Sequence, residues 1–307
     1  MWNRFKEGLI FLCLSVCVVL CIPQYAGAKS LSGPKKTIAV VGFENSSGIS
    51  SYVKMGDDFT AQLNDALIQS GQFMVVSRTE LDKVFAEQDL ASSERMAKSL
   101  AAKKGKALPA QILITGKITE FEEESKGGSQ GISIHGVTLG GSKSTAHIGV
   151  IVQIIDSTTG QIVDSRRVEG KANASGFNIG YSGSWSIGSS SFKKTPLGKA
   201  TQIAIDNAVE YISSQLAQLP WQGRVVMEKN GTVYVNAGSD AGIQPGMEFT
   251  VYREGESLID PETGMELGAE KSKVAEIVIK EVEPKFSKAS IVNATGEIEK
   301  ADLVLAD

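Results

Sequence analysis

Few side chains in this sequence are suited to chemistry. The two histidines, His135 and His147, are the only imidazoles, and neither has a carboxylate nearby in the sequence. An imidazole acts as a metal ligand or a general base when other groups orient it. If the chain between them forms a hairpin, the two rings can approach each other across it. Without a carboxylate partner, we interpret both as polar wall residues rather than as a metal site.

Thiols and catalytic motifs give no stronger signal. The three cysteines, Cys13, Cys17 and Cys21, all lie within the first 28 residues. The sequence contains no P-loop, no G-x-S-x-G motif, no dinucleotide fingerprint after a strand and no H-E-x-x-H motif. We therefore expect no enzymatic activity, no cofactor and no bound metal.

Residues 1–28 have the pattern of a signal peptide. A basic start and the apolar run of residues 9–20 precede the small residues Ala26, Gly27 and Ala28. We expect cleavage after Ala28 and export of the remaining chain. Lipidation at Cys21 is the less favoured alternative, because bulky Leu20 stands where a lipidated cysteine usually has a small residue before it.

The charge of the chain argues against binding to nucleic acid. The net charge is −4 at pH 7. The leader carries two basic residues and one acidic residue, so its removal changes the net charge to −5. No basic patch with interleaved aromatic residues is present. We expect no nucleic-acid partner.

Residues 29–220 alternate between strand and helix patterns, which predicts an α/β fold. Strands are expected at residues 37–43, 73–76, 112–121, 146–156 and 161–168. Amphipathic helices are expected at residues 55–70, from residue 81 with Val84 and Phe85 on the apolar face, and from residue 196. Thr195 before Pro196 has the pattern of a helix start, and residues 77–80 have that of a capping box.

Two segments without Asp, Glu, Lys or Arg interrupt this domain, at residues 127–142 and 172–192. Large apolar residues alternate there with small or polar ones, and transmembrane β-strands need about 9–11 residues each. We interpret them as transmembrane β-hairpins, inserted at about 122–147 and 170–195. Flexible Gly/Ser loops are the alternative, which composition alone favours. The apolar positions are Ile132, Ile134, Val137, Leu139, Phe177, Ile179, Tyr181, Trp185 and Ile187.

The number of hairpins predicts an assembly. Two hairpins give four membrane strands per chain, and four strands cannot close a barrel. An open sheet edge is not tolerated in lipid, and transmembrane barrels have at least about eight strands. The sequence therefore predicts a homo-oligomeric ring in which each chain contributes four strands to one β-barrel.

Residues 221–307 form a separate pattern of short strands and turns, typical of a small all-β barrel. Between two of these strands lies an acidic segment, which we interpret as a solvated loop at a hairpin tip. Its carboxylates are Glu254, Glu256, Asp260, Glu262, Glu266 and Glu270.

Residues 36 to about 217 resemble the CsgG-like family of curli secretion channels. The matching features are KTIAVVGFEN, FMVVSRTEL, ILITGKITEFE before the first insertion, and VIVQIIDSTTGQIVDS between the two insertions. The resemblance implies an outer-membrane ring of about nine subunits that faces the periplasm. Its implied partners are membrane lipid, an exported polypeptide and periplasmic accessory proteins. The C-terminal pattern resembles the SH3-like C-terminal domain of flagellar assembly protein T.

The resemblance also suggests residues for a pore constriction. In the family, a loop after the first strand narrows the channel with an aromatic residue and an amide. Tyr52 and Asn45 are the candidates in the corresponding loop of this chain. A tyrosine packed beside the first helix is the alternative for Tyr52.

Three functions remain open from the sequence. The first is an outer-membrane channel that passes polypeptide by diffusion. The second is a soluble periplasmic adaptor, such as an activator of a cell-wall synthase, with the Gly/Ser segments as loops. The third is a structural ring component of an envelope machine such as the flagellar basal body. The absence of charge across both insertions favours the channel.

Overall fold

The computed structural model describes residues 33–48, 54–78, 80–92, 108–127, 132–134, 137–139, 142–176, 194–262, 264 and 266–306. These residues form a mixed α+β structure with two separate hydrophobic cores. Ala28 and Tyr52 lie outside the described residues, as do Phe177, Ile179, Tyr181, Trp185 and Ile187. The predictions made for these seven residues remain predictions.

The first core lies around a five-stranded sheet. In chain order the elements of this part are β1 (Lys36–Asn45), α1 (Met55–Gln69), β2 (Phe73–Val75), α2 (Leu81–Ser92), β3 (Ile112–Gly127), β4 (Ile132–Ile134), β5 (Val137–Leu139), β6 (Ser142–Asp156), β7 (Ile162–Gly176) and α3 (Pro196–Leu216). The sheet has the order β2-β1-β3-β6-β7, and β4 pairs only with β5. All five predicted strands are present, but β3 and β7 continue well beyond their predicted ends.

The strand directions follow from the connections. β1 pairs in parallel with β2 and with β3, and the chain between these strands includes α1 or α2. A parallel neighbour needs such a crossover connection. β3, β6 and β7 are successive antiparallel neighbours. The sheet therefore has a parallel half built by crossovers and an antiparallel half that can lengthen without further helices.

Helices α1 and α3 pack on the sheet and contact each other. Phe59, Leu63 and Leu67 of α1 are fully buried at the predicted helical spacing. The predicted start of α3 is confirmed, because the Thr195 hydroxyl accepts a hydrogen bond from the Gly198 N–H at 3.0 Å. Such a cap satisfies one of the unpaired N–H groups at the helix start.

The predicted orientation of α2 is wrong. Its start agrees with the capping pattern, since the Ser77 hydroxyl accepts a hydrogen bond from the Glu80 N–H at 3.2 Å. However, Val84 and Phe85 are exposed, whereas Gln88 and Ala91 are buried. Periodicity finds the apolar stripe of a helix, but the neighbouring elements determine which side of the helix is covered.

The second core lies inside a small barrel, as the strand pattern of residues 221–307 predicts. Its elements are β8 (Gln222–Lys229), β9 (Thr232–Val235), a 3-10 helix (Ser239–Ala241), β10 (Glu248–Ile259), β11 (Glu266–Val282), β12 (Ser287–Ala294) and β13 (Leu303–Leu305). The strands close in the order β10-β11-β12-β9-β8-β13. Trp221 and Phe249 pack in the core with ring centroids 5.3 Å apart.

An ion pair joins β10 to the segment that precedes β13. Asp302 is 5% exposed and accepts hydrogen bonds from Arg253 Nε and Nη2, both at 2.9 Å, and from the Glu299 N–H at 2.7 Å. Burial alone raises the pKa of the Asp302 carboxyl, but these hydrogen bonds and the charge of Arg253 outweigh it. The pKa is therefore held below its usual value, and Asp302 is ionised at neutral pH.

The interpretation of the acidic segment as a loop is wrong in part. Glu254 and Glu256 lie on β10, and Glu266 and Glu270 lie on β11. Only Asp260 and Glu262 belong to the turn between the strands. The acidic residues thus form a strand pair, because β10 and β11 remain hydrogen-bonded out to the pair Ile259 and Glu266.

Among the described residues, no helix combines the length and the apolar character needed to cross a membrane.

Candidate functional site

The most unusual feature of the sheet is a three-stranded extension, formed by residues 119–127, 142–149 and 169–176. β1 stops pairing with β3 at Ile118, whereas β3 and β6 stay paired to Gly127 and Ser142. β6 and β7 stay paired to Ser142 and Gly176. The three strands therefore continue past the end of β1, in the direction of the two charge-free segments.

One face of the extension is covered by helix α3. Phe121, Ile148 and Gly170 are paired across the three strands, so they share a face. A Cβ atom on Gly170 would lie 1.8 Å from the Ala200 carbonyl oxygen of α3. Only glycine permits this close approach of helix and strand. The same face includes Ala146 and Ala172 farther along, and both are buried.

The opposite face of the extension carries charges. Glu122, His147 and Lys171 are paired across the strands in one row. Glu120 and Glu169 lie in the neighbouring row, on either side of Gly149. Charged residues two positions apart on one strand share a face, which places these side chains side by side.

His147 lies at the centre of this charged face. Its Nδ1 atom is 3.4 Å from Glu120 Oε2, and its Nε2 atom is 3.4 Å from Glu169 Oε2. The Nε2 atom is buried and makes no hydrogen bond at this distance. Two carboxylates that are distant from His147 in the sequence thus lie beside it in space. His135 lies outside the described residues.

Two cations complete the charged network. Lys171 Nζ is 2.9 Å from Glu169 Oε2, and Arg167 Nε is 3.2 Å from Glu169 Oε1. Arg167 also contacts Glu120. The hydrogen bond from Lys171 is the largest influence on Glu169, and it holds the pKa of this carboxyl below its usual value. The network therefore links Glu120 of β3 to Arg167 of β7 by charge, with His147 of β6 between Glu120 and Glu169.

This network does not have the arrangement of a metal centre. Its two carboxylates already have cationic partners, and no cluster of three or more His, Cys, Asp or Glu in the described part of the chain is arranged to hold a metal. In the sequence, the charged network is indicated by Arg167, Glu169 and Lys171, which occupy every second position. That spacing predicts a charged strand face, but it does not identify the partner strand.

The end of the first insertion forms a small hairpin. Ile132 is paired with Leu139 and Ile134 with Val137, while Ser133 is paired with Thr138. Each apolar position of β4 is thus opposite an apolar position of β5, as expected for a hairpin with one apolar face. The assignment of these four residues to a membrane is not tested by this pairing.

Asn45 is engaged locally at the end of β1. Its Oδ1 atom accepts hydrogen bonds from the Ser47 N–H at 3.1 Å and from the Ser47 hydroxyl at 2.7 Å. This is the turn geometry that asparagine favours after a strand. Asn45 therefore shapes the start of the loop, and its role at a constriction remains a prediction.

Comparison with known families agrees with the order of these elements. Residues 24–239 match the family model of the curli production assembly/transport component CsgG, which is more than half of the chain. The chain belongs to the CsgG family. This match confirms the resemblance found in the sequence. A second match covers residues 230–305 of this CsgG family member, to the C-terminal domain of flagellar assembly protein T.

Several solved structures are similar to this CsgG family member at low identity. A hypothetical protein of Chlamydia trachomatis has 16% identity and a TM-score of 0.36, with 60% of this chain and 96% of that one covered. The PelC dodecamer of Paraburkholderia phytofirmans has 12% identity and a TM-score of 0.28, covering 57% and 88%. The LpoB C-terminal domain of Salmonella enterica has 16% identity and a TM-score of 0.24, covering 44% and 82%. No curated protein sequence matches this chain significantly.

Proposed function

We propose that this chain is one subunit of an oligomeric outer-membrane channel through which a polypeptide leaves the cell by diffusion. Membership of the CsgG family supports a transport role in the cell envelope. The observation that carries the proposal is the three-stranded extension, whose strands continue from the folded domain into both charge-free segments.

The distribution of charge along the extension supports a membrane boundary. The charged network lies near the folded domain, and residues 127–142 and 172–192 beyond it contain no Asp, Glu, Lys or Arg. A charge on the lipid face of a barrel costs about 2–4 kcal/mol at the bilayer midplane and much less at the interface. Ion-paired strands followed by charge-free strands are what a barrel at this boundary requires.

Strand parity supports the proposed lipid-facing residues. Arg167, Glu169 and Lys171 lie on the face of β7 that α3 does not cover. If the alternation continues past Gly176, Phe177 and Ile179 come to the same face. That face is free of the helix and can meet lipid, while the other parity, rich in Ser, Asn and Gly, lines a polar interior.

The proposed channel is a ring of several copies, with about nine as the family resemblance implies. Each chain contributes two hairpins, and closure of the barrel needs the strands of neighbouring copies. Transport through such a pore needs no hydrolysis, so we propose no enzymatic step. In this proposal residues 1–28 are removed on export, and Tyr52 and Asn45 lie near the narrowest part of the pore.

Conductance in planar bilayers tests the proposal. Protein extracted from the outer-membrane fraction should form stable channels, and a variant that lacks residues 128–141 and 177–193 should form none. This deletion retains the charged network and both cores, so circular dichroism should show a folded chain. Soluble, folded and non-conducting wild-type protein would contradict the channel.

A charged substitution tests which parity faces lipid. Ile179→Lys should lower the amount of membrane-assembled oligomer, because the lysine would face hydrocarbon. Asn178→Lys is the matched control on the other parity, and it should assemble as the wild type does and change only conductance. Equal assembly of both variants would refute the lipid-facing assignment of Ile179.

The C-terminal match favours one second candidate. Residues 230–305 match a domain of flagellar assembly protein T, which is consistent with a periplasmic ring component or adaptor. Such a protein assembles without opening the bilayer. Ring-shaped particles that produce no conductance would favour this candidate over the channel.

A further inference from the structure

The barrel carries a projecting strand pair that its closure does not need. β13 pairs with β10 only from Thr250 to Tyr252, and β12 pairs with β11 only from Ala275 onward. Beyond these points β10 and β11 pair only with each other, as far as Ile259 and Glu266. We name residues 254–271 the acidic arm.

Described residues at the base and at the tip of the acidic arm make specific contacts. At its base, Arg224 Nη1 of β8 is 2.5 Å from Glu254 Oε2. At its tip, Asp260 Oδ1 accepts a hydrogen bond from the Glu262 N–H at 2.8 Å, and the Asp260 carbonyl accepts one from the Gly264 N–H at 2.8 Å. These contacts join the arm to β8 at its base and connect described residues at its tip.

Large apolar side chains are exposed on this arm. Leu258 is 56% exposed, Ile259 is 54% exposed and Leu267 is 69% exposed. Leu258 and Leu267 lie on opposite strands near the turn, because Leu258 is paired with Gly268. A two-stranded ribbon in water is marginal, and an apolar ribbon with open edges invites another strand to add to it.

The arm also holds the negative charge of the protein. It contains six carboxylates and one lysine, a net charge of −5, whereas the whole chain has a net charge of −4. The rest of the chain is therefore +1. This concentration of charge decides what can cover the apolar residues, since like charges repel and opposite charges attract over about 10 Å.

Charge complementarity excludes several occupants of the arm. A second acidic arm, an anionic lipid surface and a nucleic acid would each bring negative charge against it. A neutral apolar strand would bury the carboxylates without a partner, which is costly. A cationic segment with apolar residues at alternate positions satisfies both features, because one parity can meet an exposed leucine such as Leu258 while its lysines or arginines remain near the glutamates.

We propose that the acidic arm is a docking site for an extended, basic segment of a partner polypeptide, which adds to the ribbon as a further strand. Backbone hydrogen bonds at the open edge provide affinity, and the alternation of basic and apolar residues provides specificity. The proposal does not depend on the channel, since the arm belongs to the barrel of residues 221–307.

Fluorescence anisotropy tests the docking site with the full exported chain. The probe is a labelled peptide of alternating lysine and valine. One comparison peptide alternates glutamate and valine, and another alternates lysine and serine. We expect binding of the lysine-valine peptide alone, weakened by added salt. Equal binding of the glutamate-valine peptide, equal binding of the lysine-serine peptide, or no binding of the lysine-valine peptide would overturn the proposal.

Substitutions test whether the docking site lies on the acidic arm. Glu256→Lys with Glu262→Lys changes the net charge of the arm from −5 to −1, and Leu258→Ser with Leu267→Ser removes two of its exposed apolar side chains. Each pair should weaken binding of the lysine-valine peptide at least about tenfold. The matched controls lie outside the arm: Glu248→Lys for charge and Val292→Ser, which is 63% exposed, for apolar surface. Equal losses in the controls would overturn the assignment to the arm.

Two further outcomes would also overturn it. Concentration-dependent association of the protein that disappears in the Leu258→Ser, Leu267→Ser variant would make a second copy the occupant. Binding of the arm to vesicles of anionic phospholipid, lost in the same variant, would make a membrane surface the occupant. All substituted residues are exposed, so circular dichroism should show the wild-type fold in each variant.

Discussion

A methyl group at Gly170 should separate helix α3 from the sheet. A Cβ atom there would lie 1.8 Å from the Ala200 carbonyl oxygen and 2.8 Å from the Ala204 backbone N. Ordinary contacts of a Cβ atom begin at about 3.4 Å. The obstructing atoms belong to the helix backbone, so no change of rotamer can relieve the clash. The whole helix would have to move by more than an ångström.

The size of the effect follows from what α3 buries. Ala200, Ala204 and Ala208 are fully buried against the sheet. Overpacking of a core costs about 1–3 kcal/mol, and we expect Gly170→Ala to reach the upper end, about 3 kcal/mol, because rigid backbone must shift. Alanine in a strand is otherwise more stable than glycine by about 0.5–1 kcal/mol. This gain offsets part of the cost of the clash.

A graded series of glycine variants tests this reasoning. In Gly149→Ala the nearest atoms are the ends of the Arg167 and Glu120 side chains, at 3.1 and 3.2 Å, and these can move. In Gly296→Ala the nearest atom is Val274 Cγ1 at 3.7 Å. We expect a loss of less than about 1 kcal/mol for Gly149→Ala and almost none for Gly296→Ala.

Urea unfolding followed by circular dichroism measures all three variants. The order of midpoints should be Gly296→Ala highest, then Gly149→Ala, then Gly170→Ala. If Gly170→Ala unfolds within about 0.5 kcal/mol of Gly296→Ala, helix α3 does not approach β7 as closely as described. The close packing of α3 on the extension would then be refuted.

Three other substitutions probe the described contacts. Thr195→Ala should cost about 1 kcal/mol by removing the cap of α3, and Thr195→Ser should restore most of it, as urea midpoints would show. Asp302→Asn should cost about 2 kcal/mol at neutral pH. The lowered pKa of Asp302 gives the wild type a stability that is fully present above about pH 4 and is lost as the pH falls through the folded-state pKa, so the two unfolding curves should converge in acid. Glu169→Gln should speed amide hydrogen exchange at the charged network, and high salt should reduce its difference from the wild type; unchanged exchange at low salt would show that the network does not hold the strands.

Sequence reasoning succeeded where local chemistry determines structure. The Thr195-Pro196 start of α3 could be predicted because the cap and the first helical residue are neighbours in the chain. Strand β1 could be predicted because its run of apolar residues needs no knowledge of distant partners, and Ile38, Ala39 and Val40 in it are buried while Val41 is exposed. The resemblance to the CsgG family rested on several such runs in a fixed order.

The sequence did not predict features that depend on residues far apart in the chain. The register between strands determines that Glu120 and Glu169 lie beside His147, and no pattern within one strand specifies that register. The density of acidic residues around Glu254 and Glu256 predicts a solvated loop there. In the structure Glu254 and Glu256 are exposed on β10, so a strand holds them without burying their charges.

The extension suggests why the charged network lies where it does. Antiparallel strands rise by about 3.4 Å per residue, so the five steps from Lys171 to Gly176 cover about 17 Å. After Lys171, this length of β7 carries no Asp, Glu, Lys or Arg. A flexible loop gives no reason for three strands to stay in register over that distance, or for the charges of β7 to end at Lys171. A barrel that enters a bilayer needs both features, because its strands must be paired before they meet lipid and its charges must end before the hydrocarbon begins.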